Sequence, residues 1–305
     1  MTTDEARTTT RPSAAWRAQA DVRTAASLAG RRRRDALMRI AIALSAALAL
    51  IPLVLILGYL LVRGLGGLSL ALLTALPKPV GEPGGGIANA IAGSLLLLGI
   101  AAVCGIPVGL LAGTYLAERP NGRLAAVVRF VADVLNGTPS IVVGIAVWAA
   151  VVRPMQRFSA LAGGVALAVI LAPLVARTTE QMLRLVPPTV REAALALGFT
   201  EWRTALRVIA PAAGPGIATG LLVALSRVAG ETAPLLFTAF GNPYWSVSPS
   251  EPIAAVPLQI YTYALSPYDE WRAQAWAAAL GLVGVVAVLT IAARAVARRP
   301  RVRTR

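Results

Sequence analysis

The chain has 305 residues, 57% of them hydrophobic, a mean hydropathy of +0.69 and a formal charge of +15. That is too apolar for a soluble domain; a span needs about 20 largely apolar residues, and several stretches qualify, so the composition predicts a polytopic membrane protein. With no His and one Cys, Cys104, an intramolecular disulfide, His-dependent triads and Cys- or His-based metal sites are excluded.

The arginines gather at the chain ends and beside the apolar runs, without interleaved stacking aromatics. They read as cytoplasmic anchors, not as a nucleic-acid surface. Residues 1–36 are polar, rich in Thr, Ala and Arg, and carry Arg31-Arg32-Arg33-Arg34. They are predicted to be a disordered basic tail held in the cytoplasm, with contact to anionic lipid as an alternative use of the arginines. The first apolar run starts too late for a secretory signal and is read as a retained anchor.

The first span is predicted over about Leu37 to Val62, kinked at Pro52, followed by an external loop with Pro77, Pro79, Pro83 and Gly84-Gly85-Gly86. The second covers about Ile87 to Leu116. Gly93, Gly99, Gly105 and Gly109 are expected to permit close helix contact, with a bend at Pro107. Glu118, Arg119 and Arg123 mark a cytoplasmic turn. The third span, about Leu124 to Val152, holds Asp133 and Asn136 and is interrupted at Gly137-Thr138-Pro139-Ser140. Such a break is tolerated only where protein or a water-lined cavity satisfies the backbone. Arg153 and Arg157 then fall outside, against the charge rule. The fourth span runs from about Leu161 to Ala176, with Arg177 and Glu180 at its inner end.

Residues 186–213 are predicted to form a cytoplasmic helical hairpin. Thr189 and Glu192 have capping-box spacing, Gly198 stands where a left-handed C′ residue belongs, and Thr200 is placed to cap a second helix that ends before Pro211. Small residues at Ala193 and Ala194 would let another protein approach the backbone closely. Arg184, Arg191, Arg203 and Arg207 favour the cytoplasm. A fifth span over about Gly216 to Phe240 leads to an external loop without Lys or Arg but with Tyr244, Trp245, Tyr261, Tyr263 and Tyr268. A sixth covers about Trp271 to Ala295, and residues 298–305 form a second basic tail. The expectation is an all-α membrane domain of six spans over residues 37–297, both termini cytoplasmic, with no soluble domain large enough for an enzyme active site.

Arg227 and Glu231 lie in the predicted fifth span, where a charge costs several kcal/mol unless it faces protein or water. Four residues apart on a helix, they would share a face and partly neutralise each other. Two roles fit: anion handling on a translocation path, for which a planar, permanently charged guanidinium suits an oxyanion, or a structural ion pair. Asp133 is expected to pair with an arginine of a neighbouring helix. Arg177 is read either as a pathway residue or as snorkelling to headgroups.

The run REAALALGFTEWRTALRVIAP resembles the EAA loop of ABC-importer permeases: Glu192-Ala193-Ala194, Gly198 and Pro211 match in type and spacing, with Val208 and Ala210 replacing the usual Ile and Leu. Arg227 to Pro234 followed by Leu235 to Asn242 is similar to the A-type membrane subunit of the phosphate-specific importers. Gly85 to Ile91, Ile106-Pro107-Val108-Gly109, Tyr115 to Glu118, Asp133 to Gly144 and Arg177 to Glu180 match as well. The resemblance implies a type I ABC importer permease (MetI-like) fold in a bacterial plasma membrane. It further implies a heterodimer with a C-type permease, a cytoplasmic ATPase dimer that engages the hairpin, and an extracytoplasmic phosphate-binding protein. No GxxxxGK[ST] run is present, so ATP is expected on a partner and no cofactor here. Two rivals remain: a permease for sulfate, molybdate or tungstate, and a gradient-driven transporter using Asp133, Arg227 and Glu231 as a relay, which leaves the hairpin unexplained.

Overall fold

The computed structural model describes residues 14–82 and 84–297. Those residues are helical apart from connections, and they fall into two units divided between Tyr59 and Leu60. The first unit is the body of α1 (Ala14–Leu65), which runs on through Pro52. Here the sequence expectation is corrected. Disorder was expected through residue 36, whereas the described residues are helical from Ala14 on, because Ala and Arg dominate the segment and are strong helix formers that extend the apolar helix backwards. Residues 1–13 and the second basic tail, 298–305, lie outside the described residues.

The second unit holds α2 (Leu70–Thr74), α3 (Ala88–Glu118), α4 (Arg123–Gly137), α5 (Ser140–Val147), a π turn (Trp148–Val152) leading to α6 (Arg153–Met155), and α7 (Ala160–Arg184). After these come α8 (Pro188–Ala196), α9 (Glu201–Thr204), a second π turn (Ala205–Ile209), α10 (Ala210–Val228), α11 (Ala233–Thr238), α12 (Val256–Ala264) and α13 (Asp269–Ala297). Among the described residues, five helices are long and apolar enough to cross a membrane. The segments 123–137 and 140–155 make a sixth if they count as one span, although they fold back by 106°.

That fold-back has a local cause at the predicted break. Pro139 has no N–H to continue the helix, and the Thr138 hydroxyl donates to the Val134 carbonyl at 2.7 Å, satisfying an acceptor in the last turn of α4. On the other side of the break, α5 seats Gly144 against Pro234 of α11, where a Cβ would stand 2.7 Å from the proline Cα.

The core is built on α3 and α7. Gly105, Gly109 and Gly113 recur every fourth residue on α3 and present a bare backbone strip. A Cβ on Gly109 would lie 2.7 Å from the Ala172 carbonyl, and Gly113 abuts Ala176, Thr179 and the Glu180 amide. Gly93 meets Ala254 in the same manner, but Gly99 has open space around it and contributes no such contact. Leu97, Leu167, Leu171, Val175, Val228 and Leu235 fill the cluster where α10 and α11 join this pair.

Two further boundaries differ from the sequence reading. The fourth span continues to Arg184, because Arg177, Glu180 and Arg184 find ionic partners and need not leave the helix. The supposed external loop holds α12, whose Val256, Pro257, Leu258 and Tyr263 are buried. The chain before it also caps α7: the amides of Ser159, Ala160 and Leu161 donate to the carbonyls of Thr238, Glu251 and Pro249 at 2.8–3.0 Å. These are helix N-terminal donors that would otherwise be orphans.

Candidate functional site

Charged side chains on α4 and α7 converge on one carboxylate. Glu180, with its side chain 3% exposed, accepts from Arg129 (2.8 Å) and Arg177 (2.9 Å) and is ion-paired with Arg184 (2.8 Å), and Arg177 reaches on to Asp133 at 2.8 Å. Arg177, Glu180 and Arg184 share one face of α7, while Arg129 and Asp133 are four apart on α4; the network staples the two helices together. A buried carboxylate persists only when paired and hydrogen-bonded, and here both oxygens are engaged. Three guanidiniums against two carboxylates leave one net positive charge. Asp133 therefore pairs with an arginine of a neighbouring helix as expected, and that arginine is Arg177. Glu180 and Arg129 were missed as site residues, although the spacing of Arg177, Glu180 and Arg184 was a signal.

Arg227 and Glu231 do not form the arrangement expected of them. α10 stops at Val228, a turn follows at Ala229-Gly230, and Glu231 lies beyond the helix end, so the shared-face argument fails. The physical reason is Pro234, which in a continued helix would lack its hydrogen bond and press on the Gly230 carbonyl. Arg227 is exposed in the last turn of α10, and Glu231 is half-buried against Ser94, Leu98 and Pro257. Among the described residues, neither has an ion-pair partner.

The hairpin is present, with altered details. α8 begins at Pro188, a ring preset for the first helical turn, so Thr189 lies inside the helix and makes no capping box with Glu192. Gly198 has φ +85°, its amide donates to Leu195 and that of Phe199 to Ala194, which is a Schellman ending. Thr200 occupies the N-cap of α9 but makes no side-chain cap bond. The second helix does not stop at Pro211. It passes through the π turn, where Ala210 donates to Ala205, and continues as α10, so the missing proline N–H is accommodated by a widened turn.

Glu192, Ala193 and Gly198 are exposed. Ala194 is buried, so it packs the hairpin internally and offers no small outer surface. Leu197, Phe199, Trp202 and Leu206 give the outer side an exposed apolar character. The inner side is tied to α3: Arg191 binds Glu118 bidentately at 2.6 and 2.7 Å, and that carboxylate holds the guanidinium pKa above its ordinary value. An apolar cleft of about 420 Å³, bounded by Met182, Val186, Val190, Ala213 and Gly216, lies where α7 gives way to the hairpin.

Residues 105–302 match the family described as binding-protein-dependent transport system inner membrane component. The chain is 48% identical over 264 residues to the phosphate transport system permease protein PstA of Yersinia pestis, covering 85% of this chain and 89% of that one. It is 39% identical over 259 residues to PstA 1 of Mycobacterium tuberculosis, covering 82% of each. In fold it is similar to the inward-facing MetNI methionine ABC transporter, with a TM-score of 0.56 and 22% identity over 70% of this chain and 93% of that one.

Proposed function

The chain belongs to the binding-protein-dependent transport system inner membrane components, among the phosphate permeases of the PstA type, and on that premise we propose that it is the A-type permease of an ATP-driven phosphate importer. The observation that carries the reading is an anion-competent arginine, Arg227, exposed in the last turn of α10 at a helix break, with no carboxylate paired to it among the described residues. An arginine in the last turn of a membrane-spanning helix is stable facing protein or water, not hydrocarbon. It therefore borders the translocation path, where its planar fork can take a phosphate oxygen pair. Glu231 lies just past the break and limits how long an anion stays. Arg177 and Asp133 line the inner stretch of the path, held in place by Glu180.

The hairpin is the element that an ATPase dimer grips, with Glu192, Ala193 and Gly198 on its exposed surface and Ala194 and Pro211 shaping it from within. The arginine-rich ends and the hairpin share the cytoplasmic side, the segment from Asn242 to Tyr268 is external, and both termini are cytoplasmic. A C-type permease completes the path and an external phosphate-binding protein loads it. ATP binding closes the ATPases, and the hairpin follows because the ATPases favour one of its two positions over the other. Phosphate uptake into vesicles that contain the whole complex tests this. Uptake should require ATP and be competed by phosphate in preference to sulfate, molybdate or tungstate. Uptake that persists without the ATPase overturns it.

A further inference from the structure

Consecutive residues at the end of α3 hold both helices of the hairpin. Glu118 takes Arg191 of α8 bidentately, Arg119 stands 3.8 Å from Glu201 of α9, and the Leu116 carbonyl accepts from Arg184 at the end of α7 at 3.2 Å. These contacts differ in strength. The Glu118–Arg191 pair is two-pronged and shielded, with side chains 20% and 35% exposed, while the Arg119–Glu201 pair is open to water and contributes little.

What lies behind Glu118 gives the pair its consequence. One turn back along α3, Gly113 rests on Thr179 and the Glu180 amide, with Gly109 and Gly105 continuing the backbone contact along α7. No flexible side chain separates the two helices there, so a shift of α3 reaches the turn of α7 that carries Arg177 and Glu180. Chain continuity already joins the hairpin to α7 at residues 185–187 and to α10 through the π turn. Neither connection is a straight helix: one borders the apolar cleft, and the other is a widened turn.

We propose that Glu118 and Arg191 are positioning residues for transport, forming a strap that carries hairpin displacement into α3 and through its glycine strip to the charged cluster on α7. This rests on the reading of the hairpin as the ATPase docking element. The test uses the complete complex in proteoliposomes and measures phosphate taken up per ATP hydrolysed, together with retention of the ATPase.

Glu118→Gln and the charge-keeping Arg191→Lys should each lower uptake per ATP by about tenfold while the ATPase stays bound, the size expected for a broken coupling contact. The swapped double variant, Glu118→Arg with Arg191→Glu, should recover most of the loss. An unchanged ratio in both single variants overturns the strap. So does a swap no better than the singles in an intact complex, or loss of the ATPase from the singles, which would make the pair a structural brace. A parallel variant, Leu197→Asp on the outer face of the hairpin, reads the docking premise alone: if it keeps the ATPase bound, that premise fails, and the strap is still judged by the uptake ratio.

Discussion

Two groups of charges sit in this membrane domain, and they are solved in opposite ways. Around Glu180 each charge has a partner: three arginines from two helices close on a carboxylate that is almost fully buried, and Asp133 holds one of them from its far side. Around Arg227 no ion pair closes among the described residues, because the helix that would have brought Glu231 alongside ends at Val228. A saturated cluster holds helices in register and would meet a passing anion only through its one net positive charge, whereas an unpaired arginine keeps its donors free for an anion. Both places lie in the last turns of candidate spans, and it is the partners that tell them apart.

The largest effect should come from breaking the saturated cluster. Glu180→Ala leaves three guanidiniums facing one another, and removing one member of a buried ionic group costs roughly 3 kcal/mol or more. The expected outcome is loss of folded protein in detergent, read by thermal unfolding and by yield. A stable, fully assembled variant would show that the cluster braces nothing. Next in size is Arg227→Gln. As the side chain is exposed and unpaired, unfolding should move by no more than about 0.5 kcal/mol. Initial phosphate uptake should fall by about tenfold to a hundredfold, the worth of a charged hydrogen bond of ~1.5–3 kcal/mol. Normal uptake in an assembled complex would remove Arg227 from the path.

What was legible in the sequence was local chemistry. The break at Thr138-Pro139, the left-handed Gly198 and the close approach at Gly105 and Gly109 follow from backbone rules that act within a few residues. Of the partnerships between helices, only that of Asp133 with an arginine on another helix was legible, and not which arginine. Glu180 looked like a boundary charge because Arg129, which meets it, is on another element, and its own helix showed only Arg177 and Arg184 as neighbours. Proline was misjudged in both directions: Pro211 was expected to end a helix that a π turn carries through, and Pro234 was allowed inside a span that ends before it. Position alone does not say whether the chain widens a turn, as before Pro211, or abandons the helix, as before Pro234.

The contrast between the two groups can be sharpened from the packing side. Gly113→Leu places a side chain against Ala176, Thr179 and the backbone of Glu180. Overpacking of this kind costs about 1–3 kcal/mol, less than removing the carboxylate, since the ionic network can shift with the helix. Unfolding should become easier by that amount, and uptake should fall with it. Gly99→Leu, into open space, serves as the control and should change neither quantity.

The smallest effect separates the readings of the second group most cleanly. If Glu231 neutralised Arg227 as a helix-face pair, Glu231→Gln would bare the arginine and disturb uptake about as much as Arg227→Gln does. In the structure Glu231 lies past the helix end, half-buried beside Ser94 and Pro257, and has no ionic partner among the described residues. On the proposed path its carboxylate would act on the anion only at a distance, through a repulsion that water weakens. Uptake at saturating phosphate should change by no more than about threefold, while the concentration for half-maximal uptake falls slightly because a nearby negative charge has been removed. A loss as deep as that of Arg227→Gln, with assembly intact, would mean that the two side chains meet in another state of the transport cycle. The open arginine described here would then be one position of a pair that closes.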